Sequence, residues 1–160
     1  MQHTSLLKIW EFGDARFEFN AMIWPDKKTF LLDPFCMVSS DGTDGALGGR
    51  RPDPMVWACF PIFFGRMVRD RQWLSMETAV YKCTRLPAEM LGLSDRGILK
   101  PGTKADIVVF NAATIDAEEH WDKWNTLPTG IVGTIVNGQV VWENGAHTGA
   151  LPGRFLARTD

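Results

Sequence analysis

A chain of 160 residues with 17 basic and 19 acidic side chains, net charge -2, carries no basic run or patch suited to nucleic acid or an anionic membrane. At 45% hydrophobic and 22% charged it reads as an ordinary globular sequence, which excludes the disordered and fibrous classes. Seven Trp and ten Phe against one Tyr give an aromatic-rich core, or apolar surface meant for other chain segments. The cysteines Cys36, Cys59 and Cys83 are odd in number and not closely spaced, so they read as reduced thiols rather than a disulfide scaffold. No apolar stretch reaches membrane-spanning length, and the first residues lack a signal-peptide layout. A cytoplasmic protein is expected.

In chain order, alternation from Arg16 to Ile23 predicts a strand. Pro25-Asp26-Lys27-Lys28 opens a short helix through about Leu32, which Asp33-Pro34 must end. The apolar run Phe35-Cys36-Met37-Val38 then reads as a buried parallel strand. Directly after it comes Ser39-Ser40-Asp41-Gly42, opening a loop rich in glycine and proline that extends to Pro54. Chemistry in open and closed α/β sheets sits at the carboxyl ends of such strands. Asp41 is therefore placed to bind a metal or accept a proton, and an Asp-Gly pair equally serves to close a turn.

A helix is expected from near Phe60-Pro61 to Asp70, with the proline in its first turn. Ser75 is a good N-cap for a second helix running to about Thr84, with Glu77 favourable near its start. A third, short helix runs from Pro87 to Gly92. The remainder is β-rich. Ala105 to Phe110 is a strand, Asp116 to Trp124 is weakly helical, and Ile131–Val136 and Gln139–Trp142 flank Asn137-Gly138, a hairpin turn signal. The tail from Gly145 reads as loop. Residues 1–96 thus hold a strand, a loop and helices, and residues 97–160 hold three strands and the tail. Three strands leave two open edges, so poor independent stability is expected.

The order Ser40-Asp41-Gly42, Glu77-Thr78-Ala79-Val80 and Thr84-Arg85-Leu86-Pro87-Ala88-Glu89 resembles the C-terminal part of the N-acyl-D-amino-acid deacylases. So do Leu91 to Gly102, Lys104 to Phe110, Val136 to Val141 and the end from Thr148 to Arg154. These enzymes belong to the amidohydrolase superfamily of metal-dependent hydrolases. The stretch from Pro87 to Phe110 is shared across that superfamily, while the Ser-Asp-Gly loop and the tail point to the D-aminoacylase branch. The resemblance implies an α/β fold, the C-terminal fragment of a (β/α)8 barrel plus the C-terminal strands of a small β-sandwich. Residues 35 to 39 would be the last barrel strand. It also implies that Asp41 stands at the barrel mouth as the catalytic carboxylate and a metal contact, passing a proton from the activated water to the leaving amine, with zinc as the cofactor of the full enzyme.

The other metal ligands are not legible. The superfamily uses a His-x-His pair and further His, Cys or Lys ligands, whereas His3, His120 and His147 stand far apart. Cys59 is either a ligand or a thiol at the start of a helix. The family's His-Pro-Arg triplet is Asp53-Pro54-Met55 here, which removes two polar groups expected to recognise the substrate carboxylate. Arg50 and Arg51 are candidate substitutes for that grip, or a pair of exposed loop arginines. A full barrel takes roughly 250 residues. The expected whole is an amide hydrolase acting on small N-acyl amino acids, completed by an N-terminal barrel portion or a self-associating partner, with this chain alone inactive. The rivals are a non-catalytic interaction domain and a cyclic amidase of the dihydroorotase or hydantoinase kind.

Overall fold

The structure, a computed structural model, describes residues 24–40, 55–118 and 126–156. Residues 1–30 and 31–160 form separate compact units. The expected strand at 16–23 and the loop from Asp41 to Pro54 lie outside the described residues.

The first described helix, α1 (Trp24–Leu32), begins and ends close to expectation. Pro25 suits a first helical turn, where no N–H is needed. At the other end the Asp33 carboxylate accepts the Phe35 N–H at 2.8 Å, an Asx turn that closes the exit.

The segment that follows corrects the sequence reading. Phe35 to Ser39 forms no strand, and Phe35 is 80% exposed. A parallel strand needs hydrogen-bonded neighbours along its edges, and none pairs with this segment among the described residues. It opens with a turn at Pro34–Phe35 and is held by bonds from the helices instead, as described below.

The next helix starts five residues earlier than expected. It runs as α2 (Met55–Ile62), with Pro61 inside rather than in the first turn, and continues as a π-helix, Phe63–Asp70. Proline has no N–H to give and its ring crowds the carbonyl of the preceding turn. The helix widens directly after it, and Arg71 N–H reaches back five residues to Arg66 O at 3.1 Å. Gly65 lets the wide helix press onto another chain segment, since a Cβ there would lie 2.4 Å from the Ile115 carbonyl oxygen.

Two shorter helices come next. In α3 (Met76–Cys83) the Ser75 hydroxyl accepts the Thr78 N–H at 3.2 Å, the expected N-cap. Helix α4 (Arg85–Met90) closes with Gly92 N–H on Glu89 O and Leu93 N–H on Ala88 O, the paired bonds of a Schellman motif. Met67 and Met76 pack against the core as expected, but Met90 is 64% exposed.

The sheet is an antiparallel meander, ordered β1 (Ile107–Phe110), β2 (Ile131–Val136), β3 (Gln139–Glu143) and β4 (Ala146–His147). Asn137 and Gly138, with φ of 47° and 79°, make the expected turn. A second Asn-Gly pair, Asn144-Gly145, has the same backbone and adds β4, where the sequence reading saw only loop. Asp116 is not helical. It pairs with Thr129 in an isolated bridge, while residues 119–125 lie outside the described residues.

The core joins helices to sheet. Phe63, Phe64, Val68, Ala79 and Ile115 are buried together, with Leu31, Val38, Cys83, Phe110 and Ile131 packed against them. Phe64 and Phe110 meet at 5.2 Å between ring centroids. Charge reinforces the seam: Arg66 bonds the Asp116 carboxylate at 3.2 Å and Ala117 O at 2.8 Å, and Arg69 bonds Ile115 O at 2.7 Å.

Candidate functional site

Asp41, Arg50 and Arg51 lie outside the described residues, as do Asp44, Asp53, His3 and His120. What the structure describes is the approach to Asp41, residues 33–40, and the helices around it. His147 is exposed, and its Nδ1 accepts the Gly149 N–H at 2.9 Å, a local turn contact.

Two helices grip the approach. From α2, the Cys59 thiol donates to Ser39 O at 3.3 Å. From α3, the Lys82 ammonium donates to Cys36 O at 2.9 Å and also to Asp33 O. The Lys82 backbone carbonyl in turn accepts the Val38 N–H at 3.4 Å. Asp33 O further accepts the Cys36 N–H at 3.2 Å. The backbone polar groups of this segment are thus met by side chains and single backbone bonds rather than by a ladder, which satisfies the same accounting by another route.

Sequence reasoning missed Lys82. A signal was present: Ala79, Lys82 and Cys83 fall at helical spacing on α3, toward the core, and Ala79 and Lys82 are buried. A charged residue on an apolar face asks for a partner, and here the partners are carbonyls.

The thiols are not poised for chemistry. Burial pushes the Cys83 thiol up to about 12, with the nearby Cys59 adding to the shift, and burial also raises Cys59. Both stay protonated near neutrality in the metal-free chain, which makes them weak nucleophiles. All three cysteines are free. Among the described residues no group of three or more His, Cys, Asp or Glu side chains comes together to hold a metal ion. The described donors therefore do not fit a zinc site, which needs three or four ligands.

Two further features complete the surroundings. The Trp57 indole N–H, on α2 two residues before Cys59, is buried with no acceptor among the described residues. A groove of about 640 Å³ between the end of the π-helix and the start of α3 is lined by Arg69, Gln72, Trp73, Ser75 and Met76. It shares no lining residue with the 33–40 segment.

A model of the amidohydrolase family matches residues 38–142. A D-aminoacylase of Alcaligenes xylosoxydans xylosoxydans is 42% identical over 135 residues, which cover 84% of this chain and 27% of that protein. A solved crystal structure of a D-aminoacylase superimposes with a TM-score of 0.74 at 37% identity, covering 81% of this chain and 27% of the other. An N-acyl-D-glutamate deacylase from Bordetella bronchiseptica, solved with zinc and a phosphonate mimic of the tetrahedral intermediate, gives 0.70 at 37% identity, over 78% and 26% of the two chains. The chain spans about a quarter of the length of the curated relatives it matches. Among the described residues no helix is long and apolar enough to cross a membrane.

Proposed function

The chain belongs to the amidohydrolase family, and from that premise we propose that it forms the C-terminal part of an enzyme that hydrolyses the amide bond of N-acyl-D-amino acids. The observation that carries the reading is the 42% identity to a D-aminoacylase over 84% of this chain. The similar N-acyl-D-glutamate deacylase was solved with zinc. A bound metal would supply a polarised water and a Lewis acid for the carbonyl. No group of metal ligands is gathered among the described residues of this chain.

In this reading Asp41 is the proton carrier. A carboxylate beside the attacking water takes its proton as the oxygen–carbon bond forms. It returns that proton to the amide nitrogen as the carbon–nitrogen bond breaks, so the amine leaves neutral and the carboxylate is restored. Residues 33–40 lead the backbone directly to that aspartate. Arg50 and Arg51 hold the substrate carboxylate, in place of the polar pair replaced by Asp53 and Met55. The remaining barrel comes from residues outside this span. The large apolar side chains left exposed, Phe35, Leu99, Leu151 and Phe155 among them, are suited to meet it.

The test is complementation. The chain is co-expressed with the N-terminal three-quarters of the D-aminoacylase relative, and amine release from N-acetyl-D-amino acids is followed. Turnover of the D but not the L substrate is expected, with Asp41→Asn lowering kcat by roughly 10²- to 10⁴-fold, the range of general acid–base catalysis. An assembled enzyme that keeps its full rate with Asp41→Asn would sink the reading.

A further inference from the structure

Among the described residues Lys82 is the one charged side chain in the core, 3% exposed. It faces no carboxylate there. Its ammonium spends its bonds on two backbone carbonyls, Asp33 O and Cys36 O, both on the segment that leads to Asp41. An ammonium removed from water without a counter-charge detracts from stability rather than adding to it. The last-turn position in α3 offsets part of that cost, because the C-terminal carbonyls of a helix attract a cation. A Met or Leu would fill the same space without the cost. What only a multi-donor head on a long stem achieves is to hold two carbonyls three residues apart from one point.

We infer that Lys82 is a positioning residue. It fixes the backbone of residues 33–38, and so sets where the chain enters Ser39, Ser40 and Asp41. The inference rests on the reading of Asp41 as the proton carrier, and adds to it a group that holds the backbone leading to that residue. Lys82 acts with its own backbone carbonyl on Val38 N–H and with the Cys59 thiol on Ser39 O, so the segment is clamped from α2 and α3 together. Because the segment has no ladder of its own, these few bonds are its order.

The experiment compares amide hydrogen exchange in the full chain with Lys82, Lys82→Met and Lys82→Arg. In Lys82→Met, peptides covering residues 33–40 should exchange about tenfold faster, while the 131–143 hairpin exchanges at its original rate. Lys82→Arg, which keeps a donor head, should stay within about threefold of the parent. Unchanged protection of 33–40 in Lys82→Met would overturn the inference. Faster exchange of segment and hairpin together would also overturn it, since that marks a general loss of stability. In the complemented enzyme, Lys82→Met should lower kcat about tenfold with KM within twofold. If Asp41→Asn abolishes turnover and Lys82→Met leaves kcat intact, positioning fails and the deacylase reading stands. If Asp41→Asn is harmless, the deacylase reading fails, and the exchange data still judge the clamp.

Discussion

Replacing Gly130 with alanine tests how the sheet is fastened to the helical core. Gly130 has φ +77°, and a Cβ built there would lie 2.6 Å from both N and Cα of Ile115. Ordinary contact begins near 3.4 Å, so the new methyl is roughly 0.8 Å too close to backbone that cannot swing away. Ile115 is 1% exposed and its chain is tied on both sides: Asn111 N–H bonds Gly130 O at 2.8 Å and Thr129 N–H bonds Asp116 O at 2.9 Å. The left-handed backbone costs an alanine about 1–2 kcal/mol. The forced displacement adds about 1–3 kcal/mol. The sum, about 2–5 kcal/mol, is a large share of the roughly 5–15 kcal/mol a domain has. Urea unfolding followed by tryptophan fluorescence should show the midpoint falling by on the order of 1–2 M. Gly138→Ala is the control, since its φ is +79° yet nothing lies within 4 Å of the added Cβ. It should cost only the backbone part. Equal losses at the two positions would refute the idea that close approach at Ile115 fastens the sheet.

The other predictions concern the cap and the thiols. Ser75→Ala removes the acceptor of the Thr78 N–H and should cost about 1 kcal/mol in the same unfolding assay, with Ser75→Asp restoring most of it. At pH 8, a Cys83 thiol at about 12 instead of 9.0 has a thousandfold less thiolate, so iodoacetamide followed by mass spectrometry should find it unlabelled in folded chain and labelled in urea. The same shift has a stability consequence. The folded chain holds the thiol proton more tightly than the unfolded chain, so the protonated thiol's contribution is intact below about pH 9 and is lost as pH rises toward about 12. Thermal melts should therefore fall across that alkaline window in the parent and less in Cys83→Ala; equal falls would refute the burial account.

Local chemistry was legible in the sequence wherever it depended on neighbours along the chain. Ser75, Gly92 and Asn137-Gly138 each do what their residue type dictates, and Asn144-Gly145 carried the same message unread. The failures share another cause. Phe35 to Val38 is apolar enough for a buried strand, yet strand formation needs partner edges that the described residues do not offer it. Pro61 reads as a helix start because that is its unstrained position. The buried face formed by Ala58, Ile62 and Ala117 outweighs that preference and carries the helix through the proline into a π turn. Asp116 reads as helical from its charged surroundings, but two arginines and a bridge to Thr129 hold it extended.

The same contrast bears on the site. Asp41 is conspicuous in the sequence because the proton transfer proposed for it needs a particular side chain, and side-chain types are written there. Lys82 is inconspicuous because holding a backbone segment in place is something many residue types can do through different bonds. In a complete barrel a last strand would be held by its neighbours on both edges. In this chain the approach to Asp41 is held from α2 and α3, by Cys59 on Ser39 O and by Lys82 on Asp33 O and Cys36 O. Those bonds need no strand neighbour, so α2 and α3 can order this segment by themselves. Order in residues 33–39 should therefore depend on α2 and α3, and loss of either clamp should be felt there first, ahead of any change in the sheet.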